Sequence, residues 1–365
     1  MAARIPRKIA IMSQEFNIQP NIGTALRTFL HSQYFRTPPY PTHSFANQTV
    51  IVTGSNIGLG FEAARHFYRL NCAKLILAVR TVSKGETAKE DIVRSVKHRT
   101  DGFEAIEVWP LDLSSTQSTV SFAERVKSDL SRVDIVVENA GINSTTWQVV
   151  EGFEHVIQVN VINTLLLALC LLPKLNETKS KYPESTPHLE IVSSEMHRYT
   201  KFPQVNSPDI YQQLNDKSAY DGTDRYNVSK LIEVLFVREL VDRLRATSTS
   251  GPPPVVLTLV NPGLCRSNLD HHMNVVAQWL LYGFRLAVGR STEVGSRTLV
   301  YGACAGPESH GEFMSDGQNQ RVEPWIYTET GKEVQRKVFE QTMRVLDGRR
   351  SKGVKPEWGV DLGSY

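Results

Sequence analysis

From residue 48 onward, short runs of apolar and β-branched residues alternate with longer stretches in which apolar residues recur at helical spacing. The first run is Thr49–Thr53 (TVIVT) and the second is Lys74–Val79 (KLILAV), with a helical pattern over residues 58–70 between them. Similar runs cover residues 105–109, 133–138, 189–193 and 255–260. Strands that are apolar along their whole length are typical of a parallel sheet with helices on both faces. The pattern therefore predicts an α/β fold with a doubly wound parallel sheet of about seven strands.

The start of one helix is predicted from its side chains. Ser83 and Glu86 have the spacing of a capping box, in which two side chains satisfy the free amides of a first helical turn. We therefore expect the helix after the second strand to begin at Ser83.

The segments on either side of this alternation have a different pattern. Residues 21–35 have the spacing of a short amphipathic helix, whose apolar face would carry Ile22, Leu26, Phe29 and Leu30. A proline-rich stretch, residues 37–41, follows as extended chain, and a further helix is expected over residues 332–346. We interpret residues 1–47 as an N-terminal arm, 48–318 as one α/β domain and 319–365 as a C-terminal tail.

Composition and charge exclude several classes of protein. The 365 residues include 41 Lys and Arg against 38 Asp and Glu, so the net charge of +3 gives no electrostatic case for a nucleic-acid partner. The four cysteines lie far apart in the sequence, which argues against a metal site and favours buried free thiols. The longest apolar run, residues 165–172, is too short to span a bilayer. We expect a cytoplasmic protein without a metal.

A glycine-rich loop joins the first strand to the first helix of the domain. Glycines permit a tight turn and let the backbone approach a pyrophosphate, which the free amides and dipole of a helix N-terminus stabilise. The alternative is a turn that merely needs positive φ angles, but the order of strand, loop and helix favours a dinucleotide site. The candidate contacts in this loop are Gly54, Ser55, Asn56, Ile57, Gly58 and Gly60.

Tyr226 and Lys230 form a second candidate for chemistry. Residues four positions apart lie on one face of a helix, so the ammonium would stand near the phenol. A nearby cation lowers the pKa of a tyrosine from its usual value near 10 towards the working range of a general acid or base. An exposed pair without function is the alternative, and the adjacent cofactor loop is what favours catalysis.

The spacing of the glycine loop, TGxxxGxG, resembles that of the short-chain dehydrogenase/reductase family. Further motifs of that family follow in the right order across residues 48–318: Asn139-Ala140-Gly141, Asn160 in QVNVINT, Ser194 in IVSSEM, Tyr226 and Lys230 as YxxxK, and PGLCRS at 262–267. The amino-acid sequence as a whole is also similar to members from fungal secondary-metabolite clusters, a likeness less specific than these motifs. The resemblance implies a Rossmann-type fold and hydride transfer with a nicotinamide cofactor.

The resemblance also implies roles for four catalytic residues. Tyr226 would exchange a proton with the substrate oxygen, and Lys230 would hold the nicotinamide ribose and lower the pKa of Tyr226. Ser194 would orient the substrate oxygen, while Asn160 would support a water-linked proton relay. For Asn160 the alternative is a buried asparagine that satisfies its neighbours.

By the same resemblance, five residues outside the glycine loop would contact the cofactor or shape its cleft. Asp112 would contact the adenine, although a helix N-cap is the alternative for this residue. Asn139 would hold the backbone in place at the end of its strand and shape the cofactor cleft. Pro262, Gly263 and Ser267 would line the cofactor cleft, with Ser267 replacing the usual threonine.

Arg80 decides which nicotinamide cofactor is predicted. Relatives that use NAD place an acidic residue at the end of the second strand to bind the ribose 2′-hydroxyl. Here that strand ends in Val79 and Arg80, and an arginine there can bind a 2′-phosphate. The prediction is NADP(H), with a surface arginine as the alternative.

Two segments are expected to form the substrate side of the cleft. The insert at 195–225 is long, as in the retinol-dehydrogenase-like branch, and the flap at 264–290 has an apolar face suited to a lipophilic small molecule. Inward packing of the flap is favoured over membrane contact. The alternatives are a retinol- or steroid-like lipid oxidoreductase at a membrane surface and a catalytically silent dinucleotide sensor. Because the family often forms dimers, a homodimer is a further expectation.

Overall fold

A parallel β-sheet forms the centre of the computed structural model, which describes residues 15–247, 251–266, 283–285, 287–349 and 362. Its strands are β1 (Thr49–Thr53), β2 (Lys74–Val79), β3 (Ile106–Pro110), β4 (Ile135–Glu138), β7 (His188–Val192), β8 (Val256–Asn261), β9 (Phe313–Ser315) and β10 (Gln318–Gln320). Their order is β10-β9-β8-β7-β4-β1-β2-β3. Within this sheet, β1, β2, β3, β4, β7, β8 and β9 are parallel, and β10 pairs antiparallel with β9. Two short strands outside this sheet, β5 (Val149–Val150) and β6 (Phe153–Glu154), form a hairpin.

Helices cover both faces of this sheet. They are α1 (Ile22–Phe35), α2 (Gly58–Arg69), α3 (Val82–Ser95), α4 (Gly102–Ala105), α5 (Thr116–Asp129), α6 (His155–Ile157), α7 (Thr164–Lys181), α8 (Ile210–Leu214), α9 (Arg225–Thr247), α10 (Thr292–Gly302) and α11 (Glu329–Arg349). Residues of α2, α3 and α10 belong to the apolar core on one face, and residues of α5, α7, α9 and α11 to the core on the other. The prediction of a doubly wound α/β fold is therefore confirmed.

The two apolar cores follow from the alternation of side chains along each strand. In β1, Val50 and Val52 point into one core and Ile51 into the other, and every residue of the strand is buried. Both faces are buried because helices cover both, so the strand is apolar throughout rather than alternating.

The helical stretch His155–Lys181 is long and apolar enough to cross a membrane by length and composition. Its most apolar window is 89% buried inside the protein, as expected for a helix at the centre of a core. A π-helical segment, Gln158–Asn163, joins α6 to α7 within this stretch and carries Asn160.

The predicted capping box at Ser83 is wrong. The helix begins one residue earlier, at Val82, with Thr81 as the N-cap, and no side chain caps it. The first helical hydrogen bond runs from the Gly85 amide to the Thr81 carbonyl oxygen at 3.2 Å, so Ser83 already lies inside the first turn and does not stand at the N-cap position.

The arm and the tail both pack on the α/β core. Ile18 of the arm is buried in the core on the α9 face. In α1 the predicted apolar face is largely exposed, because Ile22 and Leu26 are about half accessible. The tail helix α11 packs along α9, where the rings of Phe236 and Phe339 stack with their centroids 4.9 Å apart.

Candidate active site

The glycine loop lies between the end of β1 and the start of α2, at the carboxyl edge of the sheet. Gly54 and Gly58 have φ angles of +64° and +66°, which glycine adopts without strain. A Cβ atom on Gly60 would lie 2.4 Å from Asn139 Nδ2 and 2.7 Å from the Gly54 carbonyl oxygen, so only glycine fits there. Asn139 in turn donates from Nδ2 to the Thr53 carbonyl oxygen at 2.9 Å.

The residues of this loop fit the pyrophosphate of a dinucleotide. The first amides of α2 open towards the loop, and no side chain caps the helix among the described residues. The Ser55 hydroxyl is buried and has no hydrogen-bond partner within the described part of the chain. Ile57 is 56% exposed and Asn56 is half-buried, so both remain accessible from the cleft.

Tyr226 and Lys230 lie on one face of α9, as their spacing predicts. Lys230 Nζ is 5.7 Å from the centre of the Tyr226 ring and donates to the Val192 carbonyl oxygen at 2.8 Å. Tyr226 is half-buried, whereas Lys230 is buried. Burial opposes the Lys230 charge, but the nearby charges of Glu233 and Tyr226 outweigh it and raise the pKa of Lys230 above its usual value.

Ser194 follows β7 two residues after Val192, so it lies on the same side of the cleft as Lys230. Its hydroxyl accepts a hydrogen bond from the Met196 amide at 3.2 Å, and its carbonyl oxygen accepts one from the ring of His197 at 2.7 Å. A short 3₁₀ helix, Glu195–Arg198, begins directly after it and holds its backbone in place.

Asn160 connects the loop after Asn139 to α9. Its side chain accepts from the Ile142 amide at 2.9 Å and donates to the Ile142 carbonyl at 2.9 Å and to the Ser229 hydroxyl at 3.2 Å. Ser229 also donates to the carbonyl oxygen of Tyr226. The asparagine therefore satisfies its neighbours and, through them, touches the helix that carries the tyrosine.

Arg80 and Asp112 lie just beyond the ends of β2 and β3. Arg80 is exposed, and because Ala78 pairs with Thr53, it lies at the same sheet edge as the glycine loop. Asp112 is half-buried, and its Oδ1 accepts a hydrogen bond from the Ser114 amide at 2.9 Å. The N-cap of the following helix is Ser115, so the alternative of a helix cap at Asp112 is wrong.

The loop after β8 contains Pro262 and Gly263. Gly263 has a φ angle of +74° and donates from its amide to Asn261 Oδ1 at 3.2 Å. Ser267 and most of the flap at 264–290 lie outside the described residues.

The insert at 195–225 contains short helices and is fixed to the tail. Within it, the Tyr211 hydroxyl and Thr342 Oγ1 of α11 are 2.6 Å apart, and Lys337 Nζ donates to the Val205 carbonyl at 2.7 Å. Nearer the site, the Tyr220 ring contacts the Trp147 ring edge-on with centroids 5.0 Å apart. Two half-buried aromatic side chains therefore stand between the insert and the segment that follows Asn139.

Three residues near the site were not predicted from sequence. Glu233 pairs with Lys230, Glu138 is buried directly before Asn139, and Gln33 of the arm binds the loop after β8. Glu138 could have been identified from the sequence, because a carboxyl group is unusual at the end of an apolar strand such as β4. No local signal identifies Gln33, because its partner lies 231 residues away.

Comparison with known proteins gives relatives along most of the chain. A family model described as short chain dehydrogenase matches residues 48–181. A short chain dehydrogenase/reductase of Cryptosporiopsis is 42% identical over 323 residues, covering 87% of this chain and 96% of that protein. A short chain dehydrogenase of Emericella nidulans is 42% identical over 293 residues, covering 80% and 90%.

Solved structures agree with the fold. A short chain dehydrogenase from Shigella flexneri superposes with a TM-score of 0.53 at 18% identity, covering 77% of this chain and 96% of that one. A Pseudomonas syringae chain gives a TM-score of 0.55 at 22% identity, covering 77% and 99%. At these identities the likeness supports the Rossmann-type architecture alone.

Proposed function

This chain belongs to the short-chain dehydrogenase/reductase family, whose members are oxidoreductases, and we propose that it interconverts a secondary alcohol and a ketone on a lipophilic small molecule with NADP(H). The observation that carries the proposal is the placement of Tyr226 and Lys230 on one face of α9, beside the end of β7 and Ser194. The glycine loop stands at the same sheet edge, so a dinucleotide bound there would lie at the edge that also carries these side chains.

The chain's own residues would hold and move the proton. The bound nicotinamide supplies or accepts the hydride. In the direction of reduction, the Tyr226 hydroxyl would donate a proton to the oxygen of the carbonyl, and in oxidation the phenolate would take it back. Lys230 would stabilise the phenolate by its charge, and Ser194 would fix the substrate oxygen by a hydrogen bond.

Replacement of Tyr226 by phenylalanine tests this chemistry directly. Tyr226→Phe removes the proton donor and keeps the ring, so turnover of NADPH with ketones should disappear while NADPH binding stays close to that of the wild type. Full activity in this variant would contradict the mechanism. A wild type that binds NADPH and turns over no member of a panel of lipophilic ketones and alcohols would favour the dinucleotide sensor.

The preference for NADP(H) is supported by Arg80 at the end of β2 and by the lack of an acidic residue there. A charge-assisted hydrogen bond to the 2′-phosphate is worth roughly 1.5–3 kcal/mol, so Arg80→Ala should lower the preference for NADPH over NADH about 10- to 100-fold. Lys84→Ala, on the exposed start of α3, is the matched control because it also removes one cation. Equal efficiency of the wild type with NADH and NADPH would refute the proposal.

The substrate class is supported by the aromatic pair Trp147 and Tyr220 beside the site and by the fungal relatives. We propose an intermediate of secondary metabolism, a polyketide or a terpenoid, as the substrate. Activity on such ketones, together with absence from the lipid fraction in liposome flotation, would favour this over a lipid oxidoreductase at a membrane surface. A cytoplasmic location and a homodimer are part of the proposal and are tested by fractionation and by sedimentation.

A further inference from the structure

Three buried carboxyl or ammonium groups lie together behind the candidate active site. Glu233 Oε1 accepts a hydrogen bond from Lys230 Nζ at 2.8 Å, one turn along α9. Glu138, at the end of β4, is buried and close enough for the charge of Glu233 to act on it. Lys230 Nζ also donates to the carbonyl oxygen of Val192, the last residue of β7, at 2.8 Å. The cluster is thus built from three different elements of the fold.

Burial makes the charges of this cluster interdependent. Lys230, Glu138 and Glu233 are each at most 5% exposed, so an unpaired charge on any of them would be costly. Within the described residues, the Lys230 ammonium donates to the Val192 carbonyl oxygen and to Glu233, and of these two acceptors Glu233 is the one that can carry a charge. Neither oxygen of Glu138 has a hydrogen-bond partner among the described residues.

Two carboxylates this close in a buried site do not both ionise readily. Glu233 has the ammonium of Lys230 as its partner, whereas Glu138 has no ion pair with any of the described residues. Burial and the charge of Glu233 raise the pKa of Glu138 well above its usual value. Burial also raises the pKa of Glu233, to about 7, and the Lys230 ammonium opposes that rise. Above this pH Glu233 is therefore the carboxylate that ionises.

We propose that Glu233 is a positioning residue that keeps Lys230 charged and fixed beside Tyr226, and that Glu138 holds a proton so that the cluster contains one carboxylate rather than two. The catalytic meaning of this inference rests on the proposed function, because it is through Lys230 that Tyr226 would be tuned. The charge state itself is a property of the folded chain and can be measured without a substrate.

The proposal predicts what happens when the carboxylate is removed. In Glu233→Gln the burial of Lys230 is no longer opposed by an ion pair, so its ammonium should lose its proton at lower pH. The loss of an opposite charge at hydrogen-bond distance should lower the pKa of Lys230 by at least about one unit. Glu190→Gln is the matched control, because Glu190 is an equally buried glutamate on β7 and lies on the other face of the sheet, against α10.

The measurement is an NMR titration of isotope-labelled lysine side chains in the full chain. The Lys230 signal is assigned by its absence in Lys230→Arg, and the exposed lysines serve as the internal reference. In the wild type and in Glu190→Gln, Lys230 should titrate above the exposed lysines, and in Glu233→Gln below them. A titration of Lys230 in Glu233→Gln that matches the wild type would overturn the proposal.

Should Glu233→Gln fail to fold, Glu233→Asp takes its place. The aspartate side chain is one methylene shorter, so its carboxylate lies farther from the ammonium and the pKa of Lys230 should fall below its wild-type value. An unchanged titration overturns the proposal. The proton on Glu138 is read from the infrared band of protonated carboxyl groups at alkaline pH. Glu138→Gln should remove part of this band, and a band of unchanged strength in Glu138→Gln overturns this half.

Kinetics separate positioning from mere structural support. If Glu233 keeps Lys230 charged, kcat/KM for Glu233→Gln should fall at alkaline pH and approach the wild type at neutral pH. A purely structural role would lower kcat/KM equally at every pH, which would count against the proposal. If the titration behaves as expected but the wild type turns over no NADPH, the proposed function fails and the assignment of Glu233 stands.

Discussion

Gln33 fixes the loop after β8 from outside the α/β core. Its amide nitrogen donates to the carbonyl oxygens of Leu264 and Val288, both at 3.0 Å, and its oxygen accepts from the Leu264 amide at 3.2 Å. Gly263 fits closely beneath it, since a Cβ there would lie 2.5 Å from Gln33 Oε1. One side chain of the arm thus joins both ends of the predicted flap.

Gln33→Leu should loosen this loop by a calculable amount. The Leu264 carbonyl keeps a second donor, the Arg290 amide at 2.9 Å, but the Leu264 amide loses its partner. A buried donor without a partner costs about 1–3 kcal/mol, and because this site is only part-buried we take about 1.4 kcal/mol, or tenfold in an equilibrium. We therefore expect the Leu264 amide to exchange with solvent roughly tenfold faster, with weaker NADPH binding.

Hydrogen exchange followed by NMR or mass spectrometry measures this effect. Gln19→Leu is the control, because Gln19 also belongs to the arm and its amide donates to Asn17, away from the loop. Unchanged exchange at Leu264 in Gln33→Leu, or an equal change in both variants, would refute the assignment of Gln33 as the anchor of the loop.

Two further changes have defined outcomes. Gly60→Ala forces a methyl group against Asn139, so it should lower thermal stability and abolish NADPH binding measured by fluorescence. The control is Gly23→Ala, whose added Cβ would lie 3.9 Å from Asn21 Oδ1 and would meet no closer atom of another part of the described chain. This change should leave stability unchanged or raise it by up to about 1 kcal/mol. Burial lowers the pKa of His66 to about 4 and that of His197 to about 3. The unfolded chain binds these protons near pH 6.5, so the stability that these two neutral histidines contribute is lost as pH falls from about 6.5 towards 4. Urea denaturation of His66→Gln should therefore show a smaller loss over this range than the wild type, and an equal pH dependence in both proteins would contradict this.

The strands of the sheet and the glycine loop could be predicted from sequence because each depends on local chemistry. β1 has the predicted bounds, since its β-branched run is buried on both faces and Gly54 ends it with a positive φ angle. Tyr226 and Lys230 meet because their spacing alone places them on one helix face. Such features need no knowledge of what packs against them.

The contacts that complete the site depend on tertiary packing and leave no local signal. Gln33 meets Leu264 only because α1 lies across the loop after β8. From the sequence alone, Glu233 cannot be told from the other charged residues of its helix. Its relation to Glu138 depends on how β4 packs against α9. The start of α3 shows the same limit, because the helix begins at Val82 and Ser83 lies inside its first turn despite the capping sequence.

The tail helix α11 is an integral part of the core around α9. Phe339 is fully buried, stacks on Phe236 with an interplanar angle of 26°, and has the Arg243 guanidinium 4.6 Å from its ring centre. Truncation of a buried phenylalanine to alanine removes apolar contacts and leaves a cavity, at a typical cost of 3–5 kcal/mol. We expect Phe339→Ala to lower the free energy of unfolding by about that amount.

The same variant should separate stability from chemistry. Phe236 lies roughly 15 Å along α9 from Tyr226, so the cavity leaves the geometry at the start of the helix unchanged. Well below the unfolding temperature, kcat with NADPH should therefore match the wild type while the urea midpoint falls. Phe35→Ala provides the control, since Phe35 is 77% exposed and the same truncation there should leave stability unchanged. Equal urea midpoints for Phe339→Ala and Phe35→Ala would mean that α11 only rests on the surface; a loss of kcat at full stability would mean that α9 transmits the cavity to its catalytic end.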